Sequence, residues 1–339
     1  MAATTLSNID FQSSTFKDIM AGEFTDRLGL LSSGVMESVN DSIVSSTDKG
    51  TTVSLPSWNT ISGDSVSITG SFSTTVNSLG TRLDKAVWCE REKAWGAESI
   101  IKTVSGADPT AEVARQLAQY LANETHAMGI ATLSGVFSVE LATTHSTGNT
   151  YSGATIGNDG VIAAKQLLGD NADELKVALM HSKVHSDAVS NNMISNQIFN
   201  VSNEVFRSGM IGQMLGLIPS VSDKFTATAS VYPTYLAAPG SIIYKFRERP
   251  AMQENNANLT VIRAGNIVAE LERVRVSLTN GGQDVLVVRF SALTHVPGVY
   301  WDGTVTTPPT NTELATASSW TKISGIDDKL IKIVQLNTL

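Results

Sequence analysis

The hydrophobic pattern is strongest between Asp108 and Phe137, where apolar residues recur every three or four positions. This spacing places them on one face of a helix. The apolar stripe consists of Val113, Leu117, Tyr120, Leu121, Met128 and Leu133. Asp108 occupies an N-cap position, and Pro109 follows at the first helical position, where its missing N–H is not needed. Gly129 weakens the pattern and Gly135 is a candidate end. The pattern predicts one long helix from Asp108 to about Phe137.

Between Thr51 and Trp88 the hydrophobic period changes to two. Apolar residues such as Val66 and Ile68 alternate with Ser and Thr, and glycines punctuate the segment. This alternation predicts a β-hairpin. A two-stranded ribbon is only marginally stable in water. We therefore expect either a projecting ribbon covered by another chain or a ribbon packed on the domain that follows it.

Residues 1–50 lack a sustained period and are rich in Ser, Thr and Asn, with scattered apolar anchors that include Phe11, Phe16 and Phe24. The spacing from Phe16 to Leu31 permits a short helix. Two interpretations remain open. The segment is either a frayed terminus or an arm that becomes ordered only against a neighbouring subunit.

Beyond the long helix, short helical and strand patterns alternate. We expect a helix capped by Asn158 or Asp159 and running to Leu168, a strand from Val177 to Met180, and a helix from a Ser182 cap to about Met193. Residues 205–244 are broken by glycines and prolines, which predicts short strands and tight turns.

The last third of the chain is predicted to be mostly β-structure. Alternation around Val276, the pair Asn280-Gly281 and the apolar run Val285–Phe290 predict a hairpin whose second strand continues toward Trp301. We expect residues 304–312 to form a linker and residues 330–336 to form a final strand.

Composition narrows the classes of function. The net charge is −8 at pH 7, whereas a dedicated DNA- or RNA-binding module would be basic. The single cysteine, Cys89, excludes an intramolecular disulfide framework and a cysteine-rich zinc module. Only 17% of residues are charged, which suits a surface covered by copies of itself and also suits a secreted β-rich protein. With no signal-peptide pattern and no apolar run long enough to cross a bilayer, we expect a soluble protein made in the cytoplasm.

Motifs for catalysis or cofactor binding are missing from the sequence. It has no phosphate loop, dinucleotide fingerprint, nucleophile elbow or His-Glu-x-x-His. His181 and His185 stand four residues apart, but nothing indicates a third metal ligand. We expect His295 to be a hydrogen-bonded core residue, and Cys89 has no evident base as a partner. We therefore expect no enzyme activity, cofactor or metal.

Several stretches together resemble the major capsid proteins of tailed bacteriophages and prophages with the Hong Kong 97-type fold. The stretches are residues 55–59 (Leu-Pro-Ser-Trp-Asn), 94–97 (Ala-Trp-Gly-Ala), 106–109 (Gly-Ala-Asp-Pro), 180–185 and 232–236, with Ser319-Trp320 near the end. The resemblance rests on their order and spacing across most of residues 50–337. One departure is residues 215–221 (Leu-Gly-Leu-Ile-Pro-Ser-Val), where the family is usually rich in Arg and Asp, so a strand there is in question.

The resemblance implies an α+β fold with the family's domain order. We expect an N-terminal arm in residues 1–50, an extended β-hairpin loop in 51–90, and a peripheral domain with its spine helix (about 108–137) in 91–150. An axial α/β domain in 151–265 and a return to the peripheral domain in 266–339 complete the prediction. Arm and loop side chains are expected at subunit interfaces: Phe11, Phe16, Phe24, Trp58, Val66, Ile68, Phe72 and Val76.

The resemblance further implies a structural protein of the virion shell. Such proteins form pentamers and hexamers that tile an icosahedral capsid around double-stranded DNA. The expected partners are copies of the chain, packaged DNA bound without sequence preference, a separate scaffolding protein, a portal and a decoration protein, and no membrane. Two alternatives remain: an encapsulin-type compartment shell of the same fold, and an α/β enzyme with long insertions, which would have a pocket with convergent polar groups.

Overall fold

The structure is a computed structural model. It describes residues 11–27, 30, 33–45, 50–58, 65, 80–96, 109–138, 140–147, 151, 153–194, 214–249, 259–276, 283–304 and 307–339. The helices are α1 (Ser14–Arg27), α2 (Pro109–Val136), α3 (Asn158–Gln166), α4 (Ser182–Ser190) and α5 (Asn311–Leu314). The strands to the middle of the chain are β1 (Met36–Ser38), β2 (Thr52–Trp58), β3 (Thr81–Val87), β4 (Cys89–Gly96), β5 (Val177–Met180), β6 (Ile218–Val221) and β7 (Tyr232–Ala237). The remaining strands are β8 (Ile242–Arg247), β9 (Leu259–Ala264), β10 (Ile267–Val276), β11 (Gln283–His295), β12 (Val299–Trp301), β13 (Trp320–Lys322) and β14 (Ile333–Thr338).

The long helix α2 organises the larger half of the molecule. Its 28 residues confirm the predicted helix, and its apolar stripe is buried, as at Leu117, Leu121 and Leu133. One side of α2 packs on α1 and another on β11. The predicted cap, Asp108, lies outside the described residues, and Gly135 lies inside the helix rather than beyond its end.

A six-stranded sheet lies against the two helices. Its order is β1-β8-β11-β10-β9, with β4 on the other side of β11. The predicted hairpin is present: β10 and β11 are antiparallel from Glu270↔Arg289 to Val276↔Gln283. The second strand stops at His295, and residues 299–301 form β12, which pairs with β13 instead. Alternate residues of β11, including Leu286, Val288 and Phe290, enter the main core.

A second, smaller unit is built on a four-stranded sheet of order β14-β7-β5-β6. Helices α3 and α4 contribute Val161, Ala164, Val184 and Ala188 to a separate core over one face of this sheet. The strand β6 lies within residues 215–221 and pairs in parallel with β5, from Val177↔Ile218 onward. The departure from the family pattern therefore does not abolish a strand there.

The ends of several elements differ from the sequence-based predictions. Helix α3 is preceded by Gly157 at the N-cap position and ends at Gln166. His181, not Ser182, caps α4: its Nδ1 accepts a hydrogen bond from the Lys183 backbone N–H at 3.0 Å. Helix α5 begins within the expected linker, and Thr310 and Glu313 form a reciprocal capping box at its start. The final strand is Ile333–Thr338.

The two sheets do not follow the predicted domain ranges. Strands β8 and β9 lie within residues 151–265, yet β8 pairs with β11 and β9 with β10 in the larger sheet. Strand β14 lies within residues 266–339, yet pairs with β7 in the smaller one. The chain therefore crosses between the units more often than its linear pattern suggests, because sheet partners are chosen by backbone hydrogen bonds between distant segments.

Candidate assembly surfaces

The base of the ribbon is a two-stranded antiparallel pair. Strands β2 and β3 are in register from Thr52↔Val87 to Trp58↔Thr81. Among the described strands, they hydrogen-bond only with each other. Leu55 and Ala86 are buried beneath the base in a small cluster with Trp88 and Leu293. The base therefore packs on its own chain, while residues 59–79, which connect its strands, lie outside the described part except for Ser65.

The buried side chain of Asp84 connects β3 to the chain around β11 and β12. The Asp84 carboxylate lies 2.7 Å from His295 Nε2 and accepts a hydrogen bond from the Gly298 backbone N–H at 3.1 Å. Asp84 and His295 are both buried. His295 is thus the hydrogen-bonded core histidine that the sequence predicted, whereas Asp84 was not singled out. Asp84 stands between Leu83 and Lys85 in a stretch that also carries Arg82, so no local sequence signal marks it.

A buried arginine ties the ribbon to β4 and β8. Arg247 Nε donates to Ser291 Oγ at 3.0 Å, and its Nη1 donates to the Gly50 carbonyl oxygen. Its guanidinium lies 3.4 Å from the Glu90 carboxylate and 4.5 Å from the centroid of the Trp88 ring. Charge-assisted hydrogen bonds and a cation–π contact of this kind hold the entry to the ribbon in one orientation.

Ion pairs cross the face of the large sheet opposite α2. Arg249 bridges Glu90 at 3.5 Å and Glu270 at 3.2 Å. Arg289 pairs with both Glu92 and Glu272. Burial raises the pKa of Glu270, and Arg249 counters that shift by stabilising the charged carboxylate. The charges are largely neutralised within the chain, so this face presents little net charge to a neighbour.

The three phenylalanines predicted at a subunit interface are core residues of their own chain. Phe11, Phe16 and Phe24 are each at most 3% exposed. Phe24 packs edge-on against Phe246, with ring centroids 5.8 Å apart. This corrects the expectation that residues 1–50 have no partner within the chain, at least for the described part. The reason is that α1 lies against α2 and β9, which already supply an apolar surface.

The other predicted interface residues belong to the ribbon. Trp58 ends β2, and its side chain lies outside the description. Val66, Ile68, Phe72 and Val76 lie outside the described residues. Their place at an interface stays a prediction.

No group of three or more metal-ligating side chains occurs within the described ranges. His181 is used as a helix cap, with Asp223 3.8 Å from its Nε2. Cys89 is buried in the main core, and this burial raises the pKa of its thiol to about 11. Such a thiol is a core side chain rather than a nucleophile.

A cavity of about 330 Å³ lies between α2 and the strands β4 and β11. It is lined by Trp95, Val113, Gln116, Leu117, Gln119, Tyr120, Asn123 and Leu286. The polar groups among these are amides and one phenol, without a carboxylate, histidine or lysine. None of the helices in the described ranges is both long enough and apolar enough to span a bilayer.

The two units meet at the middle of α2 through His126. Its Nε2 lies 2.9 Å from Ser222 Oγ, and its ring packs edge-on against Phe225 with centroids 6.2 Å apart. Beside it, Lys224 Nζ donates to the Asn123 carbonyl oxygen at 3.0 Å. Burial, and secondarily the charge of Lys224, lowers the pKa of His126 from 6.5 to about 4.

We expect the variant His126→Gln to lose less stability than the wild type when the pH falls from about 6.5 to about 4. In this window the unfolded chain binds a proton at an ordinary histidine pKa of about 6.5, and the folded chain does not, so acid favours unfolding. The difference accumulates to roughly 3 kcal/mol at pH 4 and vanishes at pH 7. Urea unfolding of both proteins at pH 7, 5.5 and 4.5 measures it; parallel losses in the two proteins would contradict it.

Comparison with known proteins shows which protein family this chain is similar to. Residues 100–330 match the family model Gp13-like, described as major capsid protein 13-like. The chain is 26% identical over 294 residues to the major capsid protein of Bacillus phage SPP1, with 84% of this chain and 82% of that protein covered.

Solved capsids share the fold at low sequence identity. The capsid of Ralstonia phage GP4 aligns with a TM-score of 0.54 and 10% identity, covering 100% of this chain and 94% of that one. The cyanophage Pam1 capsid aligns with a TM-score of 0.54 and 11% identity, covering 93% and 92%. These likenesses confirm the predicted Hong Kong 97-like capsid fold. Since the family model spans more than half of its residues, the chain belongs to the Gp13-like family of major capsid proteins.

Proposed function

We propose that this major capsid protein forms the pentamers and hexamers of an icosahedral shell that encloses double-stranded DNA. The observation that carries the proposal is the two-stranded base formed by β2 and β3 in a chain of this family. A ribbon of two strands is marginal alone in water. In the sequence, alternating apolar residues such as Val66 and Ile68 continue beyond this base, and we propose that a neighbouring subunit covers them.

The driving force for assembly is the burial of apolar surface between copies, at about 25 cal/mol per Å². Each contact is weak, but contacts repeated around a closed shell add through multivalency. The ion pairs of Arg249 and Arg289 favour such packing, because their charges are already compensated before a neighbour arrives.

The proposal extends to partners beyond copies of the chain. Packaged DNA meets the shell without sequence preference, in keeping with a net charge of −8 and the lack of a basic stripe in the sequence. A separate scaffolding protein, a portal and a decoration protein complete the particle, and the chain is made in the host cytoplasm before it enters the virion.

The test is a triple variant in which Val66, Ile68 and Phe72 are each replaced by Asp. We expect a folded subunit that no longer assembles, because the apolar face of the ribbon cannot be buried against a neighbour once it carries three charges. Circular dichroism checks the fold, and negative-stain electron microscopy with light scattering measures assembly.

The matched control replaces the alternate polar residues Ser67, Thr69 and Ser71 with Asp, which adds the same charge to the same ribbon. We expect this control to assemble. Normal shells from the first variant would refute the role of the ribbon. Nuclease-protected DNA in purified virus-like particles, rather than enclosed protein, distinguishes a genome shell from a cargo compartment.

A further inference from the structure

Exposed apolar side chains concentrate around the edge of the smaller sheet. Eight large hydrophobic residues in the described ranges are strongly exposed, and three of them fall within residues 215–221. These are Leu215 at 41%, Ile218 at 46% and Val221 at 39% exposed. Ile162 of α3 and Val189 of α4, at 54% and 39%, flank the same unit. This segment is the one whose sequence departs from the family pattern.

Leu215 occupies a backbone conformation that leucine rarely adopts. Met214 and Leu217 exchange both backbone hydrogen bonds at 2.9 Å, which closes a two-residue turn. Within this turn Leu215 has φ +50° and Gly216 has φ +81°. Two successive positive φ values define a type I′ turn, for which Asn-Gly is the favoured sequence. A leucine in the left-handed region costs about 1 kcal/mol relative to glycine.

The turn is held firmly by its own chain, although its tip is exposed. Met214 and Leu217 are both fully buried. Lys165 Nζ of α3 donates to the Leu215 carbonyl oxygen at 3.4 Å. Contacts within the chain therefore hold the backbone around Leu215, and the exposed leucine side chain adds little to the stability of the subunit. A second two-residue turn closed in the same way, between Thr228 and Val231, carries the small residues Ala229 and Ser230 at its positive-φ positions.

The adjoining strand β6 is protected against pairing with another strand. Ile218 N–H donates to the Lys176 carbonyl oxygen and Ser222 N–H to that of Met180, so alternate N–H groups point toward β5. Residue 219 therefore faces the outer edge of the sheet, and there Pro219 has no N–H to offer. A partner at this edge is contacted through side chains rather than by strand addition.

We infer that the turn at Leu215, together with Val221 on the side of the smaller sheet that α3 and α4 cover, is a contact between copies of this chain in the shell. This inference rests on the proposed function, and it identifies one surface through which the subunits contact each other in the shell. The exposed side chains of Leu215, Ile162, Val189 and Val221 together amount to less than two fully exposed aliphatic groups, or on the order of 200 Å². A stable isolated complex buries about 800 Å² on each partner. An area this small stabilises association only when the same contact recurs many times. A shell built from copies of this chain provides that recurrence, so a second copy is the expected partner.

The test is the variant Leu215→Asn. Asparagine suits the positive φ and removes the apolar side chain, so we expect the melting temperature of the unassembled subunit to stay unchanged or to rise. Shell formation is expected to fall at least tenfold at equal protein concentration. Scanning calorimetry measures the first quantity, and size-exclusion chromatography with light scattering measures the second. Leu215→Gly, which also relieves the backbone, is expected to behave in the same way.

The matched control is Leu330→Asn, because Leu330 is 42% exposed but lies outside this surface. We expect it to assemble like the wild type. If Leu215→Asn assembles normally, or if it lowers the melting temperature, the inference is overturned while the shell function stands. If the wild-type chain forms no oligomers, either alone or with the scaffolding protein proposed above, the proposed function fails, and the inference with it.

Discussion

Gly135→Ala is expected to lower the free energy of unfolding by about 3 kcal/mol, the upper end of the usual cost of overpacking. A Cβ atom at Gly135 would collide with the Leu314 carbonyl oxygen and would lie 2.7 Å from Trp320 Nε1. Trp320 Nε1 donates to that same carbonyl at 2.7 Å, so neither group can retreat without breaking a buried hydrogen bond. Urea unfolding of the unassembled subunit measures the loss.

Two other helical glycines calibrate this result. Gly22→Ala in α1 places the new methyl where no atom lies within 4 Å, so we expect a gain of about 0.5–1 kcal/mol from helix propensity. At Gly129 the methyl would meet Met36 Cε at 2.6 Å, but that atom ends a flexible side chain and can move. We expect a smaller loss there than at Gly135. Equal effects at Gly129 and Gly135 would contradict the role assigned to the close approach.

Asp84→Ala is expected to cost about 2–5 kcal/mol, because it leaves the buried His295 and the Gly298 N–H without their acceptor. The loss should loosen the base of the ribbon, since Asp84 joins β3 to the chain around β11 and β12. Chemical denaturation measures the stability, and hydrogen exchange of the β2 and β3 amides shows whether the loss is local.

Asp84→Asn is the more discriminating variant. One carboxylate oxygen faces a ring nitrogen of His295 and the other accepts from Gly298 N–H. An amide in either orientation leaves one buried N–H donor without an acceptor, so we expect a loss of about 1–3 kcal/mol. Asp18→Ala, at an exposed position of α1, should change stability by less than about 0.5 kcal/mol. If Asp84→Asn were as stable as the wild type, the charged acceptor would not be what fastens the ribbon.

These substitutions separate folding from assembly. Gly135 and Asp84 act within the subunit, and their variants should unfold more easily before any shell forms. Leu215 and the ribbon residues Val66 and Ile68 are expected to leave the subunit stable and to affect only its association. The molecule thus divides into a core that one chain completes and surfaces that copies complete.

The sequence by itself determined the type and order of many elements. The helical period predicted α2 almost to the residue, and the pattern around Asn280-Gly281 predicted β10 and β11. The hairpin predicted over residues 51–88 is seen as the pairing of β2 with β3 at its base, and the alternating residues Val66 and Ile68 lie outside the described part. These features depend on neighbours a few residues apart, and a linear pattern records such neighbours directly. The order of short motifs also sufficed for the capsid fold.

Only the tertiary structure decided which surfaces face inward. The sequence of Phe11, Phe16 and Phe24 is equally consistent with an arm that becomes ordered only against a neighbouring subunit. They lie in the core because α1 packs on α2 and the large sheet of its own chain. The sequence predicts Gly135 as a helix end, whereas in the structure it is the point where α2 meets the Leu314 carbonyl. The contact between Asp84 and His295 spans 211 residues. Contacts of this range arise from packing between distant segments, which no local period encodes.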